Sequence, residues 1–234
     1  MRTTAMPRLT RLVVCLLVVI LLPLAARGED GWYPIRSDDG AIVANHRVPV
    51  DLESLIEKLP GVVVVGNPRG EITLNEFYDL NCPYCRKASA DIDRLLRTVK
   101  ELRLVLVPFP VLGIPSIQGS KVEIAVRQNA TPRQFYDFHR KTMAVRGMMD
   151  GKRAFAIAQA MGLDDAKVAK AANDDDEIPE TMIAHVRLGN ALGIRATPGF
   201  VIKGVAINGY PGPKALERII RSVERCDNVV CKNK

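Results

Sequence analysis

The sequence predicts an α/β domain whose sheet is interrupted by a helical insertion, and three observations carry that prediction. Strand-like apolar runs fall in two groups, between residues 62 and 107 and between 200 and 207. The stretch between them, residues 116–193, has the texture of successive helices. A last helix closes the unit with Leu216, Ile219, Ile220 and Val223 at i, i+3, i+4, i+7. Strands at both ends with helices between them give one sheet built from distant parts of the chain.

Residues 1–28 stand apart from this domain and read as an export signal. Arg2, Arg8 and Arg11 make a basic start, Leu12 to Leu24 is an apolar stretch, and Ala25, Ala26 and Gly28 supply small residues for cleavage. The stretch is shorter than the ~20 residues a membrane span needs, with an uncleaved anchor as the alternative. Residues 29–60 follow as an arm, irregular to residue 50 and then an amphipathic helix with Leu52, Leu55, Ile56 and Leu59 on one face. The arm and helix either pack on their own domain or mediate homo-oligomerisation.

The first part of the sheet domain spans residues 61–115. Val62 to Val65 and Ile72 to Tyr78 are strand-like runs, and Leu102 to Val107 is a third. Between the last two, Ala88, Ile92, Leu95, Leu96 and Val99 form one helical stripe, so strand, helix and strand compose a crossover unit. In the insertion, 116–193, Thr131-Pro132 with Gln134 gives a capping hydroxyl, proline at the first helical position and Gln three residues on. Further helices are expected near 152–161, 164–172 and 179–192. The second part, 194–225, holds strands at Phe200 to Ile202 and Val205 to Ile207, joined through Lys203-Gly204 as a hairpin, and then the last helix. Residues 226–234 form a tail.

Charge and cysteine content narrow the function. The formal net charge is +7, and the leader contributes four arginines and no acid, so the exported chain is only mildly basic. No block of Lys and Arg interleaves with aromatics, which argues against a nucleic-acid partner. Of five cysteines, Cys15 lies in the leader and Cys82, Cys85, Cys226 and Cys231 remain. An even count in an exported chain points to disulfide chemistry, in too small a number to staple a fold of this size.

Cys82-Pro83-Tyr84-Cys85 stands between a strand and a helix. A thiol attacks a disulfide only as the thiolate, and an ordinary cysteine with pKa of about 8.5 is mostly protonated at neutral pH. The first turn of a helix offers unpaired N–H groups and the positive end of the dipole, which favour the thiolate at Cys82. Pro83 suits the first helical position. Cys82 is therefore expected to be the exposed nucleophile, and Cys85 the thiol that resolves a mixed disulfide. A zinc site would need a second cysteine pair of matching spacing or spaced histidines; His46, His139 and His185 show no ligand spacing, so no metal and no cofactor are expected. Cys226 and Cys231 are expected to form a disulfide that fastens the tail, the alternative being a second redox or metal-capturing pair.

Glu76-Phe77-Tyr78-Asp79-Leu80-Asn81-Cys82-Pro83-Tyr84-Cys85 resembles the active-site strand and helix start of the DsbA-like branch of the thioredoxin superfamily. Phe109-Pro110-Val111-Leu112-Gly113 is similar to a stretch common in DsbA-like and ScsC-like proteins, and Ala196-Thr197-Pro198-Gly199-Phe200 to the loop that holds a cis-proline facing the active-site cysteines. The resemblance covers about residues 60 to 225 and implies a thioredoxin-like fold with a helical insertion domain. It implies that Thr197 and Pro198, with Pro83 and Tyr84, form the substrate platform, the Thr197 backbone pairing with an extended segment. It also implies a buried acid near the resolving cysteine, here Glu76, able to exchange a proton with Cys85; the other reading of Glu76 is a solvent-facing strand residue or an ion-paired one.

The expected function is an exported protein thiol–disulfide oxidoreductase, working as oxidase, reductase or isomerase. Its partners would be unfolded or misoxidised exported proteins and a membrane redox partner that resets the pair. Periplasmic or secreted location follows from the leader. The alternative is a copper-stress protein binding soft metal through its thiols.

Overall fold

The computed structural model describes residues 33–231. The expected leader, residues 1–28, lies outside them. A six-stranded sheet runs in the order β1-β6-β5-β3-β4-β2, formed by β1 (Asn45–Arg47), β2 (Val63–Gly66), β3 (Ile72–Tyr78), β4 (Leu102–Pro108), β5 (Gly199–Ile202) and β6 (Val205–Asn208). β3 and β4 are parallel, in register from Ile72↔Leu102 to Tyr78↔Pro108, and the other neighbours are antiparallel. The thioredoxin-like fold with a helical insertion expected from the sequence is the fold observed.

Eight α-helices are present among the described residues: α1 (Val50–Glu53), α2 (Pro83–Thr98), α3 (Ile114–Asn129), α4 (Pro132–Ala144), α5 (Gly151–Ala160), α6 (Asp165–Asp174), α7 (Glu177–Ala191) and α8 (Pro213–Cys226). None of the described helices is long and apolar enough to cross a membrane. α4 begins with the capping box read from the sequence, Thr131 accepting from the Gln134 N–H while Gln134 accepts from the Thr131 N–H.

The arm differs from expectation in two ways. Asn45–Arg47, read as irregular, pairs with β6 as an edge strand. The helix expected over 51–59 is instead the four-residue α1 followed by a separate 3₁₀ turn at Ile56–Lys58. Pro60 forces the residue before it out of helical geometry, and Leu59 is extended with ψ 136°.

Apolar side chains pack on both faces of the sheet. One face carries Leu74, Tyr78, Leu104, Leu106, Phe200, Ile202 and Ile207 against Ile92 and Leu95 of α2, Leu216 and Ile220 of α8, and the insertion. The other carries Phe77, Val105, Val107, Val201 and Ala206 against Val48, Ile56, Leu188 and Leu192. Strand side chains alternate, so Glu76 projects to the same face as Leu74 and Tyr78. That face is the one covered by α2 and the insertion.

Candidate active site

β3 ends at Tyr78, and Asp79-Leu80-Asn81 turns the chain into α2. The turn is held from within. The buried Asp79 carboxylate accepts from the Asn81 N–H at 2.8 Å, from the N–H groups of Val111 and Leu112 at 2.9 Å each, and from the Ser116 hydroxyl at 2.7 Å. Asn81 donates through its amide to the Met149 carbonyl at 2.9 Å and accepts from the Met149 N–H at 2.6 Å. One short segment therefore locks together the end of β3, the segment after β4 and the loop before α5.

Cys82 is the N-cap of α2, with φ −76° and ψ 120°, and Pro83 follows in the first turn. The cap leaves the N–H groups of Tyr84 and Cys85 directed at the sulfur. The Cys82 pKa falls to about 6 from an ordinary 9.0: the Cys85 thiol bonding to it is the largest cause, and the Thr197 side chain and the Cys85 and Tyr84 N–H groups add to this against the cost of burial. In its thiol form Cys82 also donates to the Thr197 carbonyl at 3.0 Å, across 115 positions of sequence. The Thr197-Pro198 peptide bond is cis.

Cys82 is only 4% exposed, which corrects the expectation of an open nucleophile. The Thr197 carbonyl lies against its sulfur. Cys85 is fully buried one helical turn along, and the Asp79 N–H lies 3.5 Å from its sulfur. Burial pushes the Cys85 thiol well above its usual range, with the Cys82 sulfur and the Glu76 carboxyl raising it further. The two thiols are pulled in opposite directions.

Glu76 is 1% exposed, which excludes the solvent-facing reading. Its Oε1 has no hydrogen-bond partner, and burial raises its pKa to about 8, with the charges of Cys82 and Glu123 acting the same way. Tyr84 is 57% exposed, and the Lys87 ammonium sits 5.3 Å from its ring centre. Cys226 and Cys231 are joined as a disulfide with Cα atoms 5.9 Å apart, while Cys82 and Cys85 are free thiols.

Sequence reasoning missed the residues behind the pair. Glu123 of α3 and His139 of α4 are buried, with Oε1 and Nδ1 3.1 Å apart. An acid inside the apolar run Val122-Glu123-Ile124-Ala125-Val126 was the available signal. The anchoring role of Asp79 had none, because three of its donors are distant in sequence. His185 packs between the carbonyls of Pro60 and Pro108, as a structural histidine would.

A thiol at the N-cap position of the helix that follows a central strand, beside a cis-proline loop, defines the thioredoxin-like class. The family model described as Thioredoxin matches residues 58–222. A thioredoxin-like oxidoreductase from Silicibacter pomeroyi is 30% identical, with 75% of this chain and 96% of that chain covered at a TM-score of 0.66. The catalytic domain of Proteus mirabilis ScsC is 22% identical, covering 73% and 95% at a TM-score of 0.65. The thiol-disulfide exchange protein alpha-DsbA2 from Wolbachia pipientis is 20% identical, covering 74% and 94% at a TM-score of 0.66. No curated protein matches the chain. The chain belongs to the thioredoxin family, and its fold is that of the DsbA- and ScsC-like thiol–disulfide oxidoreductases within it.

Proposed function

We propose that this chain is an exported protein thiol–disulfide oxidoreductase that donates disulfides to protein substrates through Cys82 and Cys85. The observation that carries the proposal is Cys82 at the N-cap position of α2 with its sulfur against the Thr197 carbonyl, and Cys85 buried one turn along. A substrate thiolate attacks the Cys82 sulfur of the oxidised pair, and the Cys82–Cys85 bond breaks. Cys85 leaves as a thiolate and takes a proton from Glu76. A second substrate thiolate then attacks the substrate sulfur of the mixed disulfide, Cys82 leaves as a thiolate, and the substrate departs oxidised while the enzyme holds a Cys82 thiolate and a Cys85 thiol. Stabilising the departing Cys82 thiolate favours the reduced enzyme and so strengthens the disulfide as an oxidant.

The substrate class is read from the rim. Tyr84, Val111, Leu112, Ile114, Ile117 and Met148 are all exposed. Asp79 and Asn81, which shape the turn before Cys82, also bind the backbone of Val111, Leu112 and Met149. An apolar rim around a reactive thiol suits unfolded polypeptide, whose apolar side chains are still accessible. The Thr197 backbone supplies an edge for an extended segment. Export is supported by the leader pattern and by the Cys226–Cys231 disulfide, since such bonds persist in oxidising compartments. Turnover then needs a membrane redox partner to reoxidise the pair. The similarity to thiol–disulfide oxidoreductases favours this reading over a soft-metal role.

The test is the reduction potential of the Cys82–Cys85 couple together with oxidation of a reduced, unfolded substrate. A potential nearer about −120 mV than about −270 mV, with substrate oxidation lost in Cys82→Ser, is expected. A potential at the lower value, with scrambled substrate rescued instead, would reverse the direction proposed.

A further inference from the structure

Behind Cys85 the insertion buries a second set of ionisable groups that the exchange steps above leave unused. Glu123 of α3 and His139 of α4 are 0% and 1% exposed, and their facing atoms are 3.1 Å apart. The His139 ring meets the Tyr78 ring edge-on with centres 4.6 Å apart, and Tyr78 lies on β3 two residues from Glu76, on the same face. Three oxygens of the cluster, Glu76 Oε1, Tyr78 Oη and Glu123 Oε2, are buried without a hydrogen-bond partner. Leaving such atoms unpaired costs free energy that an apolar core would not incur. Three in one place, at the back of an active site, call for a role beyond packing.

We infer that Glu123 and His139 are positioning residues for the proton step of the active site: wedged together between α3 and α4, they set the charge that Glu76 meets when Cys85 gives up or takes back its proton. This inference rests on the exchange reaction proposed above. The groups facing Glu76 are Cys82 and Cys85 from α2, Glu123 from α3, Tyr136 and His139 from α4, and Tyr78 on its own strand. Its neighbours on β4 and β5 are the apolar Leu106 and Phe200. In the resolving step, the Cys85 thiol attacks the Cys82 sulfur of a mixed disulfide and its proton passes to the Glu76 carboxylate. The Cys82–Cys85 bond forms, the bond from Cys82 to the substrate breaks, and the electron pair leaves on the substrate thiolate. A negative Glu123 opposes the ionised Glu76 that this step requires, and His139, 3.1 Å from its carboxyl, holds that group in place.

The test follows peptide release from a preformed Cys82–peptide mixed disulfide as a function of pH. Glu123→Gln keeps the shape of the side chain and removes its charge, so Glu76 ionises more easily. The midpoint of the release profile is expected to move to lower pH by about one unit. The same substitution added to Glu76→Gln should produce no shift. An unchanged midpoint in folded Glu123→Gln, or an equal shift in the Glu76→Gln background, would overturn the inference. If Glu123→Gln does not fold, the His139 ring resonances of the unsubstituted reduced protein serve instead. They should respond as Glu76 titrates near pH 8, and resonances flat through that range would overturn it. A parent protein that releases no peptide at any pH contradicts the exchange reading itself, a separate outcome.

Discussion

Glu76 and Cys82 lie close together, and the fold acts on their protons in opposite senses. Glu76 holds its proton more tightly folded than unfolded, about 8 against an ordinary 4.5. Its contribution to stability is whole below pH 4.5 and is lost as pH rises through 8, because the unfolded chain gains from ionisation first. Glu76→Gln has no such loss. Its stability relative to the parent should therefore grow between these pH values and level off above them, by about 1–3 kcal/mol. Urea unfolding at a series of pH values checks this, and a difference that stays flat across the window would contradict the burial argument. Cys82 has the opposite sign. Its depressed pKa stabilises the reduced fold fully above 9.0, and the effect is lost as pH falls through about 6.

At the scale of elements, the turn from β3 into α2 owes its shape to Asp79 and Asn81, and the second face of the sheet owes its closeness to Gly189. A Cβ built on Gly189 of α7 would stand 2.5 Å from Phe109 Cε2. Phe109 in turn meets Phe77 edge-on with ring centres 5.9 Å apart. Gly189→Ala should therefore force α7 away from the sheet and cost about 1–3 kcal/mol, read by thermal or urea unfolding. The elements differed in how plainly the sequence announced them. β3 and β4 are buried on both faces, and Leu102–Pro108 is an apolar run broken only by Arg103, while Ile72–Tyr78 is rich in β-branched and aromatic residues around the buried Asn75 and Glu76. β1 is an edge strand of Asn45, His46 and Arg47, where one-sided pairing demands no apolar signature. α3 shows weak periodicity because its buried positions include Ser116, Gly119, Ser120 and Glu123 among the apolar ones. The strand-to-helix thiol pair was legible because its chemistry is local. The Glu123–His139 contact was not, since it joins two helices and no fixed spacing encodes it.

At the scale of the whole molecule, the sheet order does the assembly. β5 arrives after the insertion and pairs with β3, in register at Glu76↔Phe200, so the loop before β5 falls beside the helix that follows β3. This places the Thr197 carbonyl on Cys82 although the insertion separates them in sequence. α3, which leads into the insertion, supplies the rim at Ile114 and Ile117, and the insertion supplies the buried acid and imidazole behind Cys85. Nucleophile and proton-handling acid thus come from one part of the chain, and the platform from another beyond the insertion. The central claim is that this assembly makes Cys82, and not Cys85, the reactive thiol. It is tested most directly by alkylating the reduced protein over a range of pH and mapping the modified cysteine by mass. The account predicts modification at Cys82, with a rate that rises through a midpoint near pH 6. Modification that begins at Cys85, or a Cys82 rate that rises only toward pH 9.0, would contradict it.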